Sequence, residues 1–295
     1  MCRWLSVLLV LLPALAAAEP VRVFVSVLPQ KTFVERVGGD RVQVQVMIQP
    51  GASPHTYDPT PRQVAALAEA DLYVAVGVSF EDAWMGRIRA TNARMRVLDS
   101  AQGLHLRHLE AHEHEETAQA GHADAHGDHV ERSAADPHLW TSPPLVKQMT
   151  ERIRDALTEL DPDGGPTFTV NQASFATELD ALDAEIRTRL AGLASRRFMV
   201  FHPAWGYFAD TYDLTQVPIE HEGKEPGPKA LAALIDQARR QQVQAIFVQP
   251  QFPRKAAAQV AAAIGGRVDV LDPLAPDYVA NLRRVADVLA TSARP

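Results

Sequence analysis

Apolar residues fall along the chain in short β-branched runs, each followed by turn residues and then by apolar positions three and four apart. Runs at 21–27 (VRVFVSV), 42–48 (VQVQVMI), 72–78 (LYVAVGV) and 96–99 predict four strands. Helical spacing over 32–37, 61–70 and 81–90 lies among them. A second set repeats the plan, with strands predicted at 198–201, 214–219, 245–248 and 268–271 and helices at 230–241, 254–264 and 278–290. Alternation of this kind predicts an α/β fold in which each of two lobes is a mainly parallel sheet flanked by helices.

Between the two sets, Phe175, Leu179, Leu182, Ile186, Leu190 and Leu193 form one helical stripe. Roughly 26 residues at about 1.5 Å each span about 39 Å. A flexible tether would be rich in Gly, Ser or Pro, and this segment is not, so the lobes are expected to be joined by one long rigid helix. The predicted organisation is a signal peptide at 1–18, an N-terminal lobe at 19–167, a linking helix at 168–195 and a C-terminal lobe at 196–295. With 46% hydrophobic residues, the chain can fill two cores.

The first residues alter the expected location. Arg3 precedes an apolar run over 5–18 that ends in Ala16, Ala17 and Ala18, the pattern of a cleaved secretory signal. The run is too short for a comfortable membrane span, and the expected product is a soluble periplasmic protein. Cys2 is the only cysteine and would leave with the signal, so neither a disulfide nor a thiolate ligand is expected. Any metal site must then use nitrogen and oxygen. A net charge of −7 offers no broad attraction to nucleic acid or anionic lipid.

Histidine is the feature of composition that matters, with seven of the 11 lying between His105 and His129. The segment around 105–135 carries almost no large apolar residue beyond its first few positions. Without burial to offset its ordering entropy, it is expected to be a disordered surface loop. His112, His114, His122, His126 and His129 alternate there with acidic residues at spacings that let neighbouring imidazoles share a divalent ion, without imposing a fixed geometry. They are candidates for weaker, auxiliary metal binding.

Four other segments carry the sharper chemistry: His55 beyond the second strand, His138 between the His-rich segment and a helix, His202 after the fifth strand, and Asp272 after the eighth. Ligands of open α/β sheets bind outside the carboxyl ends of strands. Two facing lobes would bring His55 and His138 against His202 and Asp272. Three imidazoles and a carboxylate make a tetrahedral zinc shell, and Pro54, Pro137, Pro203 and Pro273 would stiffen each position. His221, within Ile219-Glu220-His221-Glu222-Gly223-Lys224, reads instead as part of a solvated loop.

Together these segments resemble the periplasmic metal-binding proteins that serve ATP-binding-cassette importers of zinc and manganese. The likeness runs through Pro50-Gly51-x-x-Pro54-His55-Thr56-Tyr57, Asp136-Pro137-His138-x-Trp140-x-Ser142-Pro143, His202-x-Ala204-Trp205-Gly206-Tyr207, the run from Ala245 to Phe252, and Leu271-Asp272-Pro273-Leu274. It implies two α/β lobes on one rigid helix with the metal between them, and ligands at His55, His138, His202 and Asp272. Manganese members of that family tend to carry Glu at the third ligand position, where this chain has His202, and imidazole suits zinc better. The chain departs from the family in lacking a cysteine pair and in carrying Gln249 where Glu is commoner.

The expected function is therefore capture of Zn2+ as a transported ligand and its delivery to the membrane permease of an ABC-type importer. The protein is expected to act as a monomer and to take a periplasmic metallochaperone as an additional partner. The alternatives are a manganese or iron binder of the same architecture, and a zinc-dependent hydrolase. The hydrolase would need an open coordination position, and neither an H-E-x-x-H motif nor an evident partnered base is present, so no enzymatic activity is expected.

Overall fold

The computed structural model describes residues 19–108, 135–220 and 226–292. The first lobe runs β1 (Val21–Val25), α1 (Leu28–Gly38), β2 (Val42–Val46), α2 (Pro61–Leu67), β3 (Leu72–Ala75), α3 (Ser79–Thr91) and β4 (Arg96–Asp99). Then come α4 (Pro143–Leu160) and the linking helix α5 (Gly165–Leu190). The second lobe follows as β5 (Arg197–Val200), α6 (Gly206–Thr211), β6 (Thr215–Pro218), α7 (Pro228–Arg240), β7 (Ala245–Val248), α8 (Lys255–Ile264), β8 (Arg267–Val270) and α9 (Tyr278–Ser292).

Both sheets are wholly parallel and wound alike, in the orders β2-β1-β3-β4 and β6-β5-β7-β8. Strands β3 and β7 are buried at every residue, whereas the edge strand β2 alternates between exposed and half-buried positions. Helices cover both faces of a parallel sheet, so its inner strands become continuous apolar runs. The order reverses between β1 and β3 and again between β5 and β7, which opens a crevice at the carboxyl end of each sheet.

Most strands end earlier than the apolar pattern predicts. Val27, Met47, Ile48, Val76 and Val78 are buried but lie in the turns that leave β1, β2 and β3. An apolar residue marks burial, and a buried turn beyond a strand end looks the same in sequence as the strand itself. Helix α1 starts before the expected position because Pro29 opens it and Gln30 caps it. The Gln30 Oε1 accepts from the backbone N–H of Ser26 at 3.0 Å and of Val27 at 3.1 Å.

Helix α5 has 26 residues and, at about 1.5 Å each, is about 39 Å long. It buries Phe168, Phe175, Leu179, Leu182, Ile186 and Leu190, packing on α1 and α4 of the first lobe and on α9 of the second. Ion pairs follow the same division, from Lys147 to Asp180 at 2.7 Å and from Arg283 to Glu185 at 2.6 Å. Arg36 also pairs with Glu178, and Arg189 with Asp287. Such exposed pairs stabilise by about 1 kcal/mol or less; the buried stripe dominates.

Two separate cores, one per lobe, are not what forms. One apolar cluster runs from β1 and β3 through α5 to Phe198, Val200, Phe247 and Leu282, and a second fills only the far face of the second sheet. The strut is therefore internal to a core that both lobes share. Truncation of Phe175 to Ala should remove about 3–5 kcal/mol, read in urea titrations as a shift of one common transition for both lobes. Unfolding of one lobe alone would contradict a shared core.

Candidate metal site

The loop after β2 is fastened at both ends, which places His55. Thr60 and Gln63 form a reciprocal cap at the start of α2. The Gln63 side chain also donates to the Met47 carbonyl at 2.7 Å and accepts from the Tyr57 hydroxyl at 2.6 Å. From the first residue of α3, Ser79 Oγ reaches the Pro54 carbonyl at 3.3 Å and the His55 Nδ1 at 3.2 Å.

His202 follows β5, and its backbone is clamped by Gln249, which follows β7. The Gln249 amide donates to the His202 carbonyl at 2.7 Å, and its oxygen accepts from the His202 N–H at 3.4 Å. Only an amide can do both; a carboxylate accepts alone. Gln249, which stands where Glu is commoner in the family this chain resembles, thus both donates and accepts. Phe252 stacks on the His202 ring at 4.8 Å between centroids and 23° between planes. His138 enters from the segment before α4, beside Trp140, whose indole N–H donates to the Pro273 carbonyl at 2.8 Å.

The three rings meet at their Nε2 atoms. His55 Nε2 is 3.3 Å from His202 Nε2, and His138 Nε2 is 3.4 Å from it. Two nitrogens bound at about 2.0–2.1 Å to one tetrahedral zinc lie about 3.3–3.4 Å apart. The pocket around them is also lined by Pro54, Gln251 and Leu274. Among the described residues no group of three or more His, Cys, Asp or Glu side chains is assembled as a complete metal shell; the trio is two close Nε2 pairs that share His202.

Hydrogen bonding on the far side of two rings settles where their protons sit. His138 Nδ1 is 2.7 Å from Asp136 Oδ1, and His202 Nδ1 is 2.6 Å from Glu220 Oε1. Both carboxyl groups are buried, Asp136 at 1% exposure and Glu220 at 2%. A carboxylate only accepts, so each Nδ1 carries a proton, and in the neutral ring Nε2 is then the nitrogen that presents a lone pair. Two lone pairs that converge at this separation repel unless a proton or a metal cation lies between them. Ligand histidines generally have such a partner on the other nitrogen, fixing the tautomer and raising basicity.

The described side-chain bonds of Asp272 are those of one carboxylate oxygen. Its Oδ1 accepts from the Leu274 N–H at 2.9 Å and from Gln251 Nε2 at 3.1 Å, the geometry of a turn cap. Its neighbours Pro273 and Leu274 line the pocket instead. The histidines at 112, 114, 122, 126, 129 and 221 lie outside the described residues.

Sequence reasoning missed Glu220, Ser79 and the role of Asp136. Asp136 had a local signal, standing two residues before His138. Ser79 and Glu220 lie 24 and 18 residues from their imidazoles and had none.

A model of the family described as the zinc-uptake complex component A, periplasmic (ZnuA) matches residues 23–292. This chain belongs to the ZnuA family. It is 30% identical over 248 residues to the zinc-binding lipoprotein AdcA of Streptococcus pneumoniae, covering 83% of this chain but 48% of that protein. It thus spans about half the length of that curated relative. The high-affinity zinc uptake system protein ZnuA of Bacillus subtilis is 28% identical, with 83% of this chain and 76% of that one covered. Among solved structures, a crystal structure of ZnuA superposes with a TM-score of 0.84 at 40% identity, covering 94% of this chain and 100% of that chain.

In this ZnuA-family site, burial shifts the His55 and His202 imidazoles toward neutrality. His55 is exposed as a residue, but its ring faces the other two. Desolvation, followed by the His202 and His138 charges, pushes its pKa down to about 4. His202 is lowered as well, chiefly by desolvation, with the hydrogen bond to Glu220 opposing. In the unfolded chain a histidine takes up its proton near 6.5. Stability linked to His55 is therefore complete above that value and is lost as pH falls from 6.5 toward 4. The buried Glu81 carboxyl, pushed up to about 7 by desolvation, acts in the opposite sense. Comparison with a variant isolates the imidazole. Between pH 7 and 4.5, the thermal midpoint of metal-free wild-type protein should fall further than that of His55→Gln. Parallel curves would show that the ring is not shielded.

Proposed function

We propose that this protein captures zinc outside the cytoplasm and passes it to the membrane permease of an ATP-binding-cassette importer. The observation that carries the reading is the meeting of three Nε2 atoms at 3.3 and 3.4 Å, two of them on rings whose opposite nitrogen is held by a buried carboxylate. The names of the relatives agree, since they are zinc-binding and zinc-uptake proteins. Among the described residues, no helix is long and apolar enough to cross a membrane, as suits a carrier that meets a separate permease. The expected secretory signal at 1–18 would place it in the periplasm, acting as a monomer.

His55, His138 and His202 are the principal ligands in this reading. Asp272 keeps Oδ1 in its two turn bonds, and Oδ2 is the oxygen that supplies the fourth donor in this reading. An imidazole-rich set favours zinc over manganese, which prefers oxygen donors. The hydrolase alternative has no observation behind it. The His-rich segment around 105–135 is the natural contact for a periplasmic metallochaperone and supplies weaker zinc sites of its own.

Competition titrations test the ligands. His202→Ala should abolish tight zinc binding, Asp272→Asn should weaken it by less, and equimolar zinc should displace manganese from the wild-type protein. Manganese retained under those conditions would overturn the metal assignment. Deletion of residues 110–131 should leave one tight zinc equivalent while removing the weaker ones. Loss of the tight site with that segment would place it in the wrong part of the chain.

A further inference from the structure

Asp136 does more than back one imidazole. Its Oδ1 takes both N–H groups of His138, the backbone N–H at 3.0 Å and Nδ1 at 2.7 Å. Its backbone N–H donates to the Arg107 carbonyl at 2.8 Å, and its Oδ2 stands 3.7 Å from Arg107 Nε. Its own carbonyl accepts from the Tyr207 hydroxyl at 2.8 Å, and that hydroxyl accepts in turn from the Arg107 N–H at 2.9 Å. Tyr207 belongs to α6 of the second lobe, whereas Arg107 and Asp136 precede α4 on the side of the first. Arg107 grips α6 further, with Nη1 donating to the Gly206 carbonyl and to Asp210 Oδ1, each at 2.8 Å.

The contact is tight at one position. A Cβ at Gly206 would lie 2.7 Å from Asp136 Oδ2 and 2.8 Å from the Arg107 guanidinium carbon, so any larger residue must displace the carboxylate or the guanidinium. Nearby, Ser142 Oγ and Thr211 Oγ1 are 2.8 Å apart, and Trp140 spans to Pro273. A set of polar bonds thus closes the lobes beside the metal site, and one of its members also holds His138.

We propose that Tyr207 and Arg107 are positioning residues for the zinc site, coupling the relative placement of the lobes to the orientation of His138 through Asp136. The inference rests on His138 being a zinc ligand. A swing of the second lobe cannot leave the Tyr207 and Arg107 bonds intact, and breaking them frees the peptide and carboxylate that fix the ring. Zinc held by three imidazoles then stabilises the closed arrangement, and opening of the lobes weakens the hold on zinc. A bland brace could join the lobes through any surface pair; here the joining residue is the one whose side chain orients a ligand.

Tyr207→Phe deletes one oxygen that serves two of these bonds. It should weaken zinc binding by about tenfold, the lower end of the effect of removing a ligand's hydrogen-bond partner. It should also shift the visible d–d bands of the cobalt-substituted protein, because the ring orientation at the metal changes. Asp210→Asn, at an exposed residue, loosens only the grip on Arg107 and should move both readouts in the same direction by less; it serves if Tyr207→Phe does not fold. A lower thermal midpoint in these variants, with zinc affinity and cobalt spectrum unchanged, would overturn the inference and leave a structural brace. His202→Ala is the control. If tight binding survives it, the reading of the trio fails; if binding is lost while Tyr207→Phe binds normally, only the coupling fails.

Discussion

Everything at the centre of this molecule depends on the hydrogen bonds that two buried carboxylates accept from the far nitrogens of His138 and His202. They turn two ordinary imidazoles into oriented donors with their lone pairs aimed at a common point. Burying a carboxyl group is costly unless it is paired and hydrogen-bonded, and each of these finds its partner in a histidine. Desolvation lowers the affinity of His55 and His202 for protons. Protons are what a zinc ion must compete with at an imidazole, so the fold suppresses the competitor before the metal arrives.

That arrangement requires the lobes to be held in a fixed relation, and the apolar core supplies it. Helix α5 is wrapped by both lobes along its buried stripe, so it is a shared wall of one core. A hinge made of exposed linker would let the second lobe wander by several ångströms, and nitrogens 3.3 Å apart would lose register. The polar bonds around Arg107 and Tyr207 add local precision at the rim of the same interface. Coarse placement is thus hydrophobic, and fine placement is hydrogen-bonded.

The difference between the histidines also follows from local structure. His138 and His202 are buried, at 5% and 6% exposure, and each is held by a carboxylate. His55 sits on an exposed loop and has only the Ser79 hydroxyl behind it. Asp272 Oδ1 stays engaged in its own turn.

The sequence determined the class of fold, the two repeated strand-and-helix sets, the linking helix and the histidines that meet, because burial periodicity and residues placed after strands are local signals. Strand ends at Val25, Val46 and Ala75 were not legible, since buried turn residues such as Val27 and Val76 carry the same apolar mark as the strands they follow. Nor was the single shared core, which depends on which faces of α5 each lobe covers. Glu220, Ser79 and the Arg107–Tyr207 bonds emerge only when distant segments are brought together; Arg107 and Tyr207 are 100 residues apart. The donors could be read along the chain because each is a chemical type in a recognisable turn. What aims them could not, because orientation is a property of contacts, and contacts are decided in three dimensions.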